Sequence, residues 1–301
     1  MPVTATVGSM ADERAHLFDA HRSHLRAVGY RMLGSFGEAD DVVQDAWFRF
    51  AKADITDIAN VGGWLTTVVS RICLDRIRQR RAHPEESLDV FVPDPIVTPA
   101  DGGDPEGAAV LADSVGFALL VVLDTLPPLE RLAFVLHDSF GVAFDDIAPI
   151  VDRSVDATRQ LASRARRRVQ DTPALAADAY DATRQRELVE AWALAARGGD
   201  FDGLLQLLDP DVVLRLDTGS AATARRLVGA TQVAQGASAS GKSAAATLRV
   251  VLVNGAPGLV NERDGRAVSV AHFTVVDGRV VALDILADPE RLARLDLRPA
   301  P

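Results

Sequence analysis

One stretch in the middle of the chain concentrates arginine at helical spacing. Residues Ser154–Arg168 contain five arginines, although the whole chain of 301 residues carries a formal charge of −10. The preceding residues Ala143–Val151 have the pattern of a short helix, and Asp152 with Arg153 has the composition of a tight turn. Two short helices joined by a tight turn, the second of them basic, predict a DNA-binding helix-turn-helix. An ordinary solvated basic helix is the alternative that this segment alone leaves open.

The first turns of the basic helix carry the residues expected to read bases. Ser154 is placed to cap the helix, because its hydroxyl can satisfy an amide of the first turn. Arginine and glutamine form paired hydrogen bonds with guanine and adenine, each worth about 1–3 kcal/mol of discrimination. Later arginines are placed for phosphates, which anchor a duplex without reading it. The predicted DNA-contacting residues are Ser154, Asp156, Ala157, Thr158, Arg159, Gln160, Ser163, Arg164 and Arg167.

A second basic segment, Trp64–Arg81, follows a loop at Asp54–Gly63. A basic helix beside an aromatic side chain and a loop can hold duplex phosphates or a displaced single strand. A solvated helix face over a buried tryptophan is the alternative from this segment alone. The candidate residues are Trp64, Arg71, Asp75, Arg76, Arg78, Arg80 and Arg81.

An acidic row opens the helix that precedes this loop, and it consists of Asp40, Asp41, Gln44, Asp45 and Phe48. Its spacing predicts a surface for a basic partner helix, opposite an apolar stripe on the same helix. Acids at a helix N-terminus also stabilise their own helix dipole, which is the alternative.

Three titratable residues in the last third of the chain are candidates for acid–base chemistry: Asp217, His272 and Asp284. Their spacing does not force them together, so a small-molecule enzyme such as a cyclase or isomerase is the minor alternative. Cys73 is the only cysteine, which excludes an internal disulfide and a cysteine-based zinc site. We expect no metal, no cofactor and no catalytic residue.

Composition and periodicity divide the chain into six segments, which predict a multidomain protein: two all-α domains followed by an α+β domain. The segments are a disordered N-terminus (1–12), a helical domain (13–83), an acidic Pro/Gly linker (84–105), a second helical domain (106–170), a short linker (171–184) and an α+β domain (185–298). No apolar run reaches the roughly 18–20 residues of a membrane helix. No secretory signal is visible either, so a cytoplasmic protein without a membrane partner is expected.

Together these segments resemble a bacterial sigma factor of the extracytoplasmic-function type, from about Leu17 to Val169. Glu38–Phe50 is similar to region 2.2, Gly63–Arg81 to regions 2.3 and 2.4, and Leu126–Arg168 to region 4. The resemblance implies that the acidic row binds the β′ clamp helices of the RNA polymerase core. It also implies that Trp64–Arg81 opens and reads the −10 element, and that region 4 reads the −35 element beside the β flap. Because the helix-turn-helix occurs together with these blocks, a sigma factor fits the sequence better than a simple repressor. The simple repressor remains the alternative.

The last third of the chain resembles a SnoaL-like domain, an α+β cone of the NTF2-like fold, as fused to sigma factors of the sigma-J group. Val212–Asp217, Asn254–Pro257 and Ala287–Leu292 match its pattern. The chain departs from the group at Asp217–Ala221, where a Gly-rich segment is usual, and at Phe91–Pro95, where Trp-Leu-Pro-Glu-Pro is usual. The resemblance implies that this domain modulates polymerase binding, through a small ligand or an intramolecular contact at Asp217, His272 and Asp284.

Overall fold

A computed structural model describes residues 4–54, 58–82, 90–100, 116–172, 182–241 and 246–297. These residues form two compact units. One consists of residues 4–82 and 123–168, and the other of residues 90–122 and 169–297 with the gaps already stated. The first unit is helical and the second contains a seven-stranded sheet, which confirms the predicted order of fold classes.

Three long helices begin the first unit: α1 (Thr4–Leu33), α2 (Phe36–Lys52) and α3 (Val61–Ala82). Their apolar faces meet at Phe18, Phe50 and Leu65, each at most 1% exposed. The prediction of a disordered N-terminus (1–12) is wrong for residues 4–12, because α1 begins at Thr4. No proline follows Pro2 in this stretch, and helix extends readily from an existing turn once it is nucleated.

The rest of the first unit contains α5 (Pro128–Phe134), a π-helical turn (Val135–Ser139), α6 (Phe144–Val151) and α7 (Val155–Gln170). They follow α4 (Phe117–Thr125), and residues 106–115 at the start of the predicted second helical domain lie outside the described residues. Pro128 occupies the first turn of α5, where its missing N–H has no intrahelical partner to lose. Helix α3 packs against both α5 and α6.

The second unit combines helices with a curved sheet. The helices are α8 (Ala182–Gly198), α9 (Phe201–Leu207), α10 (Ala230–Gly241) and α11 (Pro289–Leu292). The strands are β1 (Val97–Pro99), β2 (Leu208–Asp217), β3 (Arg225–Val228), β4 (Ala246–Val253), β5 (Ala256–Arg263), β6 (Arg266–Val276) and β7 (Arg279–Leu286). Their order is β1-β4-β5-β6-β7-β2-β3, with only β2 and β7 parallel among these pairs. Asp277 and Gly278, both with positive φ, form the hairpin turn that joins β6 to β7.

The two faces of this sheet are covered by different parts of the chain. Helices α8, α9 and α10 cover one face, where Trp192 packs on Phe273. The other face carries Val251, Val260, Val270 and Leu286, and it is covered by Val92, Phe117 and the segment around α11. Because side chains alternate along a strand, neighbouring residues of β6 and β7 belong to opposite faces.

The linker prediction for residues 84–105 needs correction. Val97 pairs with Val253, so β1 is an edge strand of the sheet. The Asn254 side chain accepts a hydrogen bond from the Ile96 amide at 2.9 Å, and the Asn254 amide donates to the Ile96 carbonyl at 2.7 Å. The prolines predicted a loop, but an edge strand tolerates proline because its outer row of amides needs no partner. Residues 84–89 and 101–105 lie outside the described residues, as do residues 173–181 of the second predicted linker.

Candidate functional site

The predicted helix-turn-helix is formed by α6 and α7. Helix α6 ends at Val151, and Asp152 takes a left-handed conformation with φ of 54°, which turns the chain sharply. The Ser154 hydroxyl accepts a hydrogen bond from the Ala157 amide at 3.2 Å, which confirms the predicted cap of α7. The turn residues and the cap therefore fix where the basic helix begins.

One side of α7 presents a continuous exposed row. Asp156, Arg159, Gln160 and Arg167 are exposed, and Ser163 is half-buried between them. Ser154 is exposed at the start of the row, and Ala157 is half-buried. Arg159 pairs with Asp156 at 2.8 Å, one turn earlier on the same surface. This row is the part of the predicted DNA surface that can approach a groove.

Thr158 is the exception, and its predicted base contact is wrong. Its side chain is fully buried, and its hydroxyl donates to the Ser154 carbonyl at 2.9 Å. The helical period places Thr158 with Leu161, Ala162 and Ala165 on the core face of α7. The prediction failed because it took the whole first turn as accessible.

Glu130 holds two of the later arginines of α7, and sequence reasoning missed it. This carboxylate is 6% exposed, and it lies 2.7 Å from Arg164 Nε and 3.4 Å from Arg168. Arg166 forms a similar pair with Asp138 at 2.7 Å, which raises the pKa of the guanidinium. A charged residue inside the apolar block Leu126–Leu136 was the available signal. These pairs orient α7 on the rest of its bundle.

The acidic row on α2 is exposed along its whole length. Asp40, Asp41, Gln44 and Asp45 are exposed, and Phe48 is 50% exposed. The opposite face of α2 buries Ala39, Val42, Val43, Ala46 and Phe50. An exposed phenylalanine at the end of an acidic row offers a partner protein an apolar contact beside the charges, and aromatic residues are enriched at protein interfaces.

The basic residues of α3 lie against this acidic row. Arg76 is 3.0 Å from Asp45 and 3.8 Å from Asp41, and Arg80 pairs with Glu38. The predicted polymerase surface and the predicted −10 surface therefore share a border. Of the other candidates on α3, Asp75 and Arg78 face solvent 3.7 Å apart, and Trp64 is half-buried with its ring 6.0 Å from Phe50.

Two further arginines of α3 bind the second helical half. Arg71 donates to the Pro149 carbonyl of α6 at 3.2 Å, and Arg81 donates to the Leu126 carbonyl at 2.7 Å. On the facing side of α1, the His24 ring lies 5.1 Å from the Phe140 ring. In this structure, part of the predicted −10 surface is engaged within the helical unit.

Asp284 and His272 are buried together on one face of the C-terminal sheet, directly opposite each other on β7 and β6. Arg215 Nε lies 2.6 Å from Asp284 Oδ1, an ion pair whose angles are not those of a hydrogen bond. Burial lowers the pKa of His272 to about 3, helped by Arg215, whereas burial raises the pKa of Asp284. The ring of His272 stacks on Phe117 at 4.5 Å, so solvent does not reach it.

Asp217 serves a different purpose from His272 and Asp284. Its Oδ2 accepts hydrogen bonds from Arg291 at 2.7 Å and from the Val92 amide at 3.0 Å. Arg291 also lies 2.6 Å from Asp94, so two carboxylates and one guanidinium fasten the segment around Val92 to the sheet. Sequence reasoning missed Arg291 and Asp94, although both lie within the motifs Ala287–Leu292 and Phe91–Pro95.

Asp217, His272 and Asp284 share the linker-covered face of the sheet, whereas the cavity of this domain lies on the other face, so the structure does not bring them together around a ligand pocket. Asp217 instead makes an intramolecular contact with the linker, which the resemblance gave as the alternative to a ligand. The described residues contain no group of three His, Cys, Asp or Glu arranged to hold a metal ion. Among the described helices, none has both the length and the apolar character that crossing a membrane requires.

Comparison with known proteins agrees with this architecture. The Sigma-70 region 2 family matches residues 17–83, and the Sigma-70, region 4 family matches residues 117–169. ECF RNA polymerase sigma factor SigJ of Mycobacterium tuberculosis is 39% identical over 295 residues, which cover 93% of this chain and 94% of SigJ. Probable ECF RNA polymerase sigma factor SigI of the same species is 31% identical over 284 residues, covering 94% of this chain and 96% of SigI.

The solved structures include a protein similar over nearly the whole chain. The crystal structure of M. tuberculosis SigJ matches with a TM-score of 0.65 and 36% identity, covering 94% of this chain and 100% of that one. The match extends through both helical regions and the C-terminal sheet, in the order that the sequence resemblance implied. This chain belongs to the family of extracytoplasmic-function RNA polymerase sigma factors.

Proposed function

We propose that α2 binds the RNA polymerase core, that α3 binds the −10 promoter element and that α7 binds the −35 promoter element. As a sigma factor the chain is a transcription initiation factor and not an enzyme, and it directs RNA polymerase to promoters. The exposed row from Asp40 to Phe48 on α2 is the observation that supports the assignment of polymerase binding to this helix. Its side chains offer acids and one apolar contact, which suit a partner helix with basic side chains, and we assign this partner to the β′ clamp helices. The site of action is the cytoplasm, where the polymerase is.

The exposed row of α7 supports its assignment to the −35 element. Arg159 and Gln160 are assigned to base edges and Arg167 to a phosphate. Arg164, which stays exposed beside its partner Glu130, is assigned to a second phosphate. Region 4 would bind the β flap at the same time. The proposed −10 contacts are Trp64 and Arg78 on α3, together with the loop that precedes this helix. Arg71, Arg76, Arg80 and Arg81 join them once their present partners release them.

The C-terminal domain is proposed to modulate this activity through the linker. Arg291 and Asp217 bind the segment around Val92, and this segment connects the two sigma regions along the chain. Holding that segment limits how the two regions can be spaced. Removal of residues after Asp171 is therefore expected to change core affinity or promoter activity. If neither changes, the domain has no modulating role.

A charge reversal on α2 tests the polymerase contact. Asp41→Arg places a positive charge where the proposed partner is basic, so affinity for purified core should fall by roughly tenfold or more. Asp19→Arg is the matched control, because Asp19 is an equally exposed acid on α1 that pairs only locally with Arg22. Binding is measured by fluorescence anisotropy of labelled protein, with run-off transcription as the functional readout. Equal affinities of the two variants would contradict the proposed surface.

A further inference from the structure

The start of α6 carries an aromatic ring that contacts the basic helix. The centre of the Phe144 ring lies 5.8 Å from the guanidinium carbon of Arg159, within the range of a cation–π contact. Phe144 is half-buried and is the first residue of α6, whereas Arg159 is exposed on the second turn of α7. The contact therefore joins the two helices of the helix-turn-helix at the surface assigned to DNA.

A histidine ring packs on Phe144 as well. The centres of the His137 and Phe144 rings are 3.8 Å apart, and their planes differ by 26°. The His137 Nδ1 atom lies 3.0 Å from the Val142 carbonyl oxygen, which accepts its hydrogen bond and fixes the plane of the imidazole. The Gly141 amide donates to the His137 carbonyl at 3.0 Å, so the backbone of this turn is closed too. The position of the Phe144 ring is thus fixed by a neighbour that is itself hydrogen-bonded.

The ion pair with Asp156 holds Arg159 only weakly. The two side chains are 55% and 85% exposed, and exposed pairs of this kind contribute at most about 1 kcal/mol and weaken as salt rises. The ring contact uses none of the N–H donors of the guanidinium, so these donors stay available for a carboxylate or a base edge. An arginine held in this way has lost part of its rotamer freedom before DNA arrives, so less entropy is lost on binding.

We propose that Phe144 is a positioning residue for promoter recognition, which holds the Arg159 guanidinium where it meets one base pair of the −35 element. The proposal rests on the proposed assignment of α7 to this element. Phe144 acts through Arg159, whose paired hydrogen bonds suit guanine. Without the ring, Arg159 occupies more rotamers, so the preference at one base pair falls while the phosphate contacts of the other arginines remain.

Sequence selection by the holoenzyme tests this proposal. Polymerase core with the full chain is given a promoter library randomised across the −35 element, and the bound DNA is sequenced. The base pair read by Arg159 is the one whose preference is lost in Arg159→Ala. We expect Phe144→Leu to reduce the preference at this same base pair by about two- to fivefold, the range of a cation–π contact at an exposed site. Preferences at the other base pairs should stay as in the parent holoenzyme.

Three further variants separate positioning from a structural role. Phe144→Tyr keeps the ring and should keep the preference. Adding Phe144→Leu to Arg159→Ala should lower no preference further, since the guanidinium on which the ring acts is already gone. Phe140→Leu is the matched control, because Phe140 is also a half-buried phenylalanine but its ring contacts His24 and Arg31 of α1. This control should retain every base preference of the parent.

The possible outcomes separate this proposal from the proposed function. A parent holoenzyme that selects no −35 sequence would contradict the assignment of α7 itself. If the parent selects a sequence but Phe144→Leu keeps all its preferences, or loses them equally at every base pair, the role of Phe144 alone is overturned. The same holds if Arg159→Ala keeps the preferences of the parent, because Phe144 would then have no base-reading group to position.

Discussion

Neighbouring side chains on α7 differ in whether they can contact DNA. Thr158 is buried and bonded to the Ser154 carbonyl, whereas Gln160 two residues later is exposed. Gln160→Ala should therefore weaken binding to the correct −35 duplex by about 5–150-fold, the range that one paired base contact supplies. The measurement is anisotropy with the parent duplex and with single base-pair changes.

Thr158→Ser provides the comparison at the buried position, since it keeps the hydroxyl and removes one methyl group. The preference among the altered duplexes should stay as in the parent protein. If Thr158→Ser shifts base preference while Gln160→Ala does not, the assignment of the exposed row is incorrect.

His272 makes the stability of the C-terminal domain depend on pH. Burial holds its pKa at about 3, while the unfolded chain has a histidine pKa of about 6.5. The unfolded state therefore binds more protons as the pH falls below about 6.5, and stability decreases by up to about 1.4 kcal/mol per pH unit down to about pH 3. Asp284 acts in the opposite direction, because its raised pKa lets the folded state bind a proton first.

His272→Gln isolates the histidine contribution because it leaves Asp284 and Arg215 in place. Between pH 7 and pH 5 the parent protein should lose more stability than the variant. Hydrogen exchange of the β6 and β7 amides, corrected for the intrinsic rate at each pH, measures this difference locally. Parallel pH dependences of the two proteins would show that His272 does not titrate as its burial requires.

Elements with a strong local pattern were predictable from sequence. The helix-turn-helix, its Ser154 cap and the β6–β7 hairpin turn all follow from residues close in the chain. Strand β1 and the roles of Arg291 and Glu130 did not, because each depends on partners far away in sequence. Likewise, the alternation of side chains along β6 and β7 predicts that these strands have two distinct faces. Only the folded sheet shows which of the two faces the linker covers.

Arg291 joins α11 to the segment that precedes β1. Its guanidinium contacts Asp94, Asp217 and the Val92 carbonyl, and it lies 5.0 Å from the centre of the Phe91 ring. Arg291→Met leaves two buried carboxylates without their cation, which typically costs about 3–5 kcal/mol. The amides of Val92 and Ile96, which donate to Asp217 and Asn254, should then exchange their hydrogens much faster, as measured by mass spectrometry.

Arg294→Met, an exposed arginine one turn later, controls for the loss of one positive charge. Arg291→Lys adds a graded case, because a lysine keeps the charge but lacks the planar fork that spans two carboxylates. The rate of amide hydrogen exchange of this segment in Arg291→Lys should lie between the rates in the parent protein and in Arg291→Met. Unchanged protection of the Val92 and Ile96 amides in Arg291→Met would mean that the segment is held without the Arg291 contacts.

The helical unit as a whole is more compact than a promoter-bound arrangement allows. Helix α3 contacts α6 through Arg71 and the Pro149 carbonyl at 3.2 Å. The names of the −10 and −35 elements give their positions in base pairs, so the two elements lie about 25 base pairs apart. This separation is roughly 85 Å of duplex at about 3.4 Å per base pair. Because α3 and α7 cannot reach both elements from one bundle, the two helical halves must separate before promoter binding.

A crosslink between the two halves tests this requirement. His24→Cys and Phe140→Cys place thiols on residues whose rings lie 5.1 Å apart, and neither residue belongs to the proposed DNA or polymerase surfaces. The native Cys73 does not interfere, since it is fully buried and burial raises the pKa of its thiol to about 12. A short bis-maleimide should then join the halves and prevent promoter-specific run-off transcription by added core.

The double variant without crosslinker, and the double variant with each thiol capped singly, should transcribe as the parent protein does. Full activity of the crosslinked protein would show that both promoter elements can be engaged without separation of the helical halves.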